Sequence, residues 1–297
     1  MYYIAQTALQ LGFIYGLVSL ALFLSFRVLD IADLSTDGTF VLGMAVSVAI
    51  AAKGRPFLAL LLAMISGMLS GTVTAVLQTR LGIPSILAGI ITNTGLYTIN
   101  LAVMGFSSNI ALMKQATVFS VLQQLGIPAV TILLPLVLFA LAAFLLKNFL
   151  NTRLGLSIRA TGDNRDMVSA SSIDPRFTIT VGLAYANVMT ALAGALVGQL
   201  QRSADINSGT GVVVVGLACL IIGETIVGKK TIGRNILAVL VGSVLYRFLY
   251  AIILKTRLFP IECLKLVTAV IIALAIAMPN IKASYDLRKE RSHAGNA

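Results

Sequence analysis

Two short polar stretches stand immediately before short apolar ones: "DLSTDG" (Asp33–Gly38) and "INSGTG" (Ile206–Gly211). Carboxylates, hydroxyls and glycines within one turn can do two things. Ser35, Thr36 and Asp37, and likewise Ser208 and Thr210, can cap the exposed N–H groups of a helix start, with Gly38 allowing irregular backbone. Together with Asp33, they can also line a route for a polar solute, because broken helices are tolerated at membrane depth where they border a cavity. Thr92, Asn93 and Asn100 in "ITNTGLYTIN", and Tyr185 and Asn187 in "AYANVMT", place more polar groups inside apolar runs. An Asn there either bonds a neighbouring helix or faces a pathway. Glu224 and Arg247 are the ionisable residues nearest span interiors, where charge is costly. Glu224 is near enough in sequence to pair with Lys229 or Lys230. Arg247, flanked by Tyr246, Phe248 and Tyr250, is expected to snorkel outward.

None of these groups forms a catalytic constellation. The single histidine, His293, lies in a polar tail. There is no Walker A loop, no zinc-ligand spacing and no nucleophile elbow. Cys219 and Cys263 lack metal spacing and read as small buried residues. The expectation is a chain with no catalytic residue, no metal and no cofactor of its own.

The elements that must position the polar groups follow from hydropathy. Of the 297 residues, 58% are hydrophobic and 11% charged, and mean hydropathy is +0.96. Soluble domains carry about 25% charged residues. An all-α polytopic membrane protein is expected, since continuous apolar runs replace the weak alternation of a β-barrel. Nine runs stand out, at 7–28, 39–52, 56–78, 84–106, 131–150, 177–200, 211–228, 235–254 and 264–280. Of these, 39–52 and 211–228 are short or Gly-rich and read as broken helices, so roughly eight to ten spans are expected. The first run lacks a basic leader, so no cleavable signal is expected. The gap Gly105–Val130 holds Met113, Val118, Phe119, Val121 and Leu122, which suit an amphipathic surface helix.

Net charge is +11. The basic residues sit mostly between apolar runs, which points to membrane orientation and not to nucleic acid. Alternating spans around a cytoplasmic 151–176 loop and a cytoplasmic 281–297 tail puts 14 Lys and Arg inside and 7 outside, with the N-terminus outside. In this frame "DIADLSTDGTFVLGMAVSVAI" starts inside and the similar "SADINSGTGVVVVGLACLII" starts outside. An inverted repeat is therefore expected, with solute handled where the copies meet.

The segment Thr152–Phe177 departs from this apolar background, with four arginines and three aspartates. Asp163 or Asn164 can cap a short helix, Asp166 suits its first turn, and Pro175 stops it. A helix of about two to three turns, from about Asn164 to Ile173, is marginal alone and must dock on something. Its Met167, Val168, Ala170, Ser171 and Ile173 offer a small-residue face to a cleft in another protein, or to its own bundle.

This segment, "TRLGLSIRATGDNRDMVSASSIDPRFTITVGLAYANVMTALAGALVGQ", resembles the cytoplasmic segment of ABC importer permeases of the branched-chain amino acid and ribose type. Arg153, Gly155, Arg159, Ala160, Gly162, Asn164, Ile173 and Asp174 carry the match. "DLSTDGTFVLGMAVS" is similar to the pattern of permeases associated with tryptophan and tyrosine. The resemblance implies a single permease domain over 1–297 in a bacterial inner membrane. It also implies a coupling helix that docks on an ABC ATPase through Arg159, Gly162, Asp163, Asn164, Asp166, Met167, Ser171 and Asp174. ATP is then held by that partner, an extracytoplasmic solute-binding protein delivers the solute, and a second copy of the permease completes a homodimer in lipid. The implied solute is an amino acid, with the aromatic class favoured. The alternatives are an ion- or proton-coupled secondary transporter, which would want well-placed buried acids, and a non-transporting membrane scaffold subunit.

Overall fold

The computed structural model describes residues 2–256 apart from 114, 127–128 and 229–230, with helical residues 269–270, 273 and 277 beyond them. The expected span 264–280, the tail 281–297 and Cys263 therefore lie largely or wholly outside the described residues. In chain order the helices are α1 (Tyr2–Leu22, continued by a π-helical turn Phe23–Val28), α2 (Thr36–Ala51), α3 (Pro56–Thr79) and α4 (Ser85–Val103). Next come strand β1 (Asn109–Ala111), α5 (Val118–Gln124), α6 (Val130–Leu150), α7 (Arg153–Asp163), α8 (Arg165–Ala170) and α9 (Pro175–Gln201). Strand β2 (Ser203–Asp205), a 3-10 turn (Ile206–Gly209), α10 (Val212–Val227) and α11 (Ile232–Thr256) complete the described order. Among the described residues seven helical segments are long and apolar enough to cross a membrane, and Thr36–Ala51 is a shorter apolar helix. A chain so apolar cannot leave backbone N–H and C=O groups facing lipid, and helices satisfy them internally.

The bundle has two distinguishable ends. At one lie α7, α8 and the foot of α1: Gly162 packs so closely on Val28 that a Cβ there would sit 1.9 Å from the Val28 carbonyl oxygen. At the other, β1 pairs antiparallel with β2, and Gln199 at the end of α9 receives the Val118 N–H and donates to Pro56 O. This small ribbon is an addition to the all-α expectation. It arises where the chain segments that follow α4 and α9 meet and pair their free backbone.

The long α9 is clasped by α2 and α3 through small residues. Cβ atoms added at Gly43 or Gly67 would lie 2.1 Å from Ala191 O and 2.4 Å from Asn187 O. Such close backbone approach is how helices gain van der Waals contact when lipid is as apolar as their own side chains.

The two short helices begin inside this bundle. Asp33, just before α2, is bonded to Asn187 in the middle of α9, and α2 then runs to the ribbon end, where Ser47 accepts from Gln199. The first N–H groups of α10 meet Asp37 of α2, and α10 then runs the opposite way, to Glu224 beside Arg27. Two 16-residue helices that start together and run in opposite directions suit the inverted arrangement expected from the sequence.

Three local expectations change. The 151–176 segment is two helices, α7 and α8, divided at Asn164, whose backbone is extended and whose Oδ1 accepts from Met167 N. The short helix ends at Ala170, where Ser172 takes a positive φ of 62°, before Pro175 is reached. Arg247 does not snorkel: it is 9% exposed, with its guanidinium 3.5 Å over the Tyr15 ring, because packing between α1 and α11 offers it an aromatic face. Among the described residues between α4 and α6, Val118–Gln124 is the one helical stretch, started by a reciprocal Thr117–Ser120 cap, and Met113 stays exposed outside it.

Candidate functional site

The starts of α2 and α10 leave a polar cavity between them. Its volume is about 370 Å³, and Asp37, Gly38 and Val41 of α2 line one wall. Asn93, Thr94, Tyr97 and Asn100 of α4 line a second, and Ile206, Asn207, Gly209 and Thr210 form the turn before α10. Positions 93, 97 and 100 are spaced i, i+4, i+7, so they share one face of α4.

The backbone at this junction is shaped by two glycines. Gly211 sits at φ +84°, a conformation that side-chain-bearing residues rarely adopt. A Cβ at Gly209 would lie 2.3 Å from Asp37 O, so only glycine lets the turn approach α2.

Asp37 does not cap its own helix. Its Oδ2 accepts from Gly211 N at 3.0 Å and its Oδ1 from Val213 N at 2.8 Å, so it caps α10 across 174 residues or more of sequence. The reason is the helix dipole: the first N–H groups of α10 have no partner within their own helix and favour a carboxylate. Ser35 and Thr36 likewise turn away from the α2 start. The Ser35 N–H and hydroxyl both donate to Asp33 Oδ1, and Thr36 Oγ1 donates to Asp33 O. Asp33 is 2% exposed and receives a further bond from Asn187 Nδ2 at 2.8 Å. Asp33, Ser35, Thr36 and Asn187 thus form a buried network beside the cavity, in which Asn187 Oδ1 accepts no hydrogen bond.

Of the residues expected on the pathway, Asp37, Asn93 and Thr210 meet in the cavity. Ser208 lies in the same 3-10 turn but is not among the lining residues. Thr92 points elsewhere: it accepts from Thr74 at 3.0 Å and lines an apolar groove of about 560 Å³ between α2, α3 and α4. Tyr185 stacks on Phe149, centroids 4.9 Å apart. Thr94, Tyr97 and Asn207 were not singled out from sequence, although the helical spacing from Asn93 to Tyr97 and Asn100 was there to be read. Asn100 donates to Gly38 O at 3.1 Å.

The docking residues divide in the same way. Asp166, Met167 and Ser171 are exposed on or just after α8, while Val168 holds α8 to the bundle. Asn164 caps α8, Asp174 caps α9 by accepting from Arg176 N, and Gly162 is a packing contact against Val28. Arg159 and Asp163 line a second cavity of about 240 Å³ with Arg27, Thr231, Ile232 and Asn235. Arg27 there makes a two-pronged bond to Glu224, Nε to Oε1 at 2.8 Å and Nη2 to Oε2 at 2.7 Å. The lysines read as partners of Glu224, Lys229 and Lys230, lie outside the described residues. Among the described residues no cluster of three His, Cys, Asp or Glu could hold a metal.

Comparison with known proteins gives a consistent result. A family model described as the permease component of a branched-chain amino acid transport system matches residues 4–276. A tyrosine transport system permease protein of Clostridioides difficile (strain R20291) is 32% identical over 272 residues, covering 91% of this chain and 90% of its own. An uncharacterised protein of Rickettsia prowazekii is 32% identical over 275 residues, covering 91% of this chain and 96% of its own. A ribose import permease protein of Haemophilus influenzae is 27% identical over 226 residues, covering 73% and 67%. No solved structure matches.

Proposed function

The chain belongs to the branched-chain amino acid type of ABC importer permeases, and from that membership we propose that it passes an aromatic amino acid through the cavity at Asp37. It is a multi-pass membrane protein and the non-catalytic component of its transport system. Membership also implies an ATPase and a solute-binding protein as partners. The secondary-transporter and scaffold readings give way to it.

The observation that carries the proposal is the cavity itself. In a chain this apolar, seven polar side chains that converge where α2 and α10 begin need a polar occupant. The aromatic preference is supported by the tyrosine transport named for one relative and by Tyr97, 54% exposed, which offers an aromatic face. The test is uptake by the permease reconstituted with its ATPase and binding protein. Tyrosine or phenylalanine should be taken up in preference to leucine and ribose; preferred uptake of leucine or ribose would sink the substrate class.

A second copy covers the open side of the cavity. Thr94, Tyr97 and Thr98 are exposed on α4 beside apolar neighbours, and polar side chains gain little from hydrocarbon. ATP, bound by the ATPase, drives alternating access through α8, which acts as the coupling helix on the cytoplasmic side. Met167, 67% exposed, is its apolar anchor. Met167→Glu is expected to weaken retention of the ATPase on the purified permease by roughly tenfold. Undiminished co-purification and transport in that variant would refute the docking role.

A further inference from the structure

We propose that the cavity recognises its solute by an ammonium group, with Asn100 and Asn93 as acceptors and Asp37 as the counter-charge. The proposal rests on the cavity being the solute site and specifies which end of the solute it holds.

Asn100 is 1% exposed. Its Nδ2 is committed to Gly38 O, which fixes the orientation of the amide. Its Oδ1 is buried and accepts no hydrogen bond. A buried acceptor without a donor is costly, and in a cavity wall it calls for a donor on the occupant. Asn93 adds a second amide oxygen on the same helix face, directed toward Gly38: a Cβ built there would be 2.5 Å from Asn93 Oδ1.

The charges point the same way. Two helix starts that converge on a cavity would, left bare, favour an anion such as the carboxylate of an amino acid. Asp37 already occupies that place, because it takes the N–H groups of Gly211 and Val213. Each of its oxygens accepts one of these bonds and keeps further lone-pair capacity. Among the described residues no Lys, Arg or His lines the cavity. A solute carboxylate would therefore find no counter-charge there. A solute ammonium would find one carboxylate, two amide oxygens and the face of Tyr97.

The test uses the permease–ATPase complex in lipid nanodiscs, without the binding protein, so that its selectivity does not intervene. Phenethylamine should raise the melting temperature in a saturable manner, and 3-phenylpropionate at the same concentration should not. Asn100→Leu and Asn93→Ala should each raise the half-saturating phenethylamine concentration by roughly tenfold. Asn100→Leu also removes the donor to Gly38 O and can misfold; Asn93→Ala keeps the measurement decisive. Stabilisation by the acid equal to that by the amine, no stabilisation by any amine, or wild-type phenethylamine binding by the folded variants would overturn the proposal. If 3-methylbutylamine stabilises and phenethylamine does not, ammonium recognition stands and the aromatic preference falls.

Discussion

Asp37→Ala is expected to destabilise the protein by about 2–5 kcal/mol and to reduce uptake to background. The carboxylate serves two N–H groups of α10 at a partly buried junction between α2 and the turn before α10. Loss of an ordinary exposed cap costs about 1 kcal/mol; here each stranded donor adds its own desolvation penalty. Asp37→Asn keeps one acceptor oxygen but turns an NH2 group toward the second donor, so an intermediate loss is expected. The measurement is a melting curve of the purified permease in detergent, with uptake in proteoliposomes beside it. An alanine variant that melts with the wild type and transports within twofold of it would show that the cap is dispensable.

Arg27→Met should produce the second large effect, a loss of about 2–4 kcal/mol. Removing one partner of a buried ion pair withdraws the charge that compensates the other, and Glu224 has a side chain only 1% exposed. The figure lies below that of a fully buried pair because Arg27 is 38% exposed and meets water already. For the same reason the two single variants should be unequal: Glu224→Leu leaves a guanidinium that solvent can reach and should cost less. The double variant Arg27→Met with Glu224→Leu should recover part of the Arg27→Met loss, measured as a double-mutant cycle of melting stability. Equal losses in the singles that simply add in the double would mean the pair is not coupled. The pair matters for transport because it ties the foot of α10 to α1 beside Arg159 and Asp163, while Asp37 holds the other end of the same helix.

Most of the site lay in view in the sequence as a set of residue types, and less of it as a set of partners. "DLSTDG" and "INSGTG" announced irregular starts of two short helices, because a polar turn with glycine before an apolar run is a local signal. The capping role was assigned to the right residue type but the wrong helix. Nothing within four residues of Asp37 indicates that its donors are Gly211 and Val213. Asn164 as a cap was legible, since its donor, Met167, is three residues away. The split of Thr152–Phe177 into α7 and α8 was not, because it depends on Gly162 pressing against Val28, far off in the chain.

By itself, the sequence determined that this chain must be a bundle of membrane helices with two broken ones and a polar segment outside the bilayer. Hydropathy runs and basic gaps settle this through backbone satisfaction and charge cost, which act over tens of consecutive residues. Only the tertiary structure decided that Asp37 closes α10, that Arg27 pairs with Glu224, and that Asn100 of the cavity wall bonds Gly38 O and leaves its own buried oxygen without a donor. Those pairings span 62 to 197 residues. They are set by which glycines let α2, α3 and α9 close on one another, and no periodicity along the chain encodes that contact.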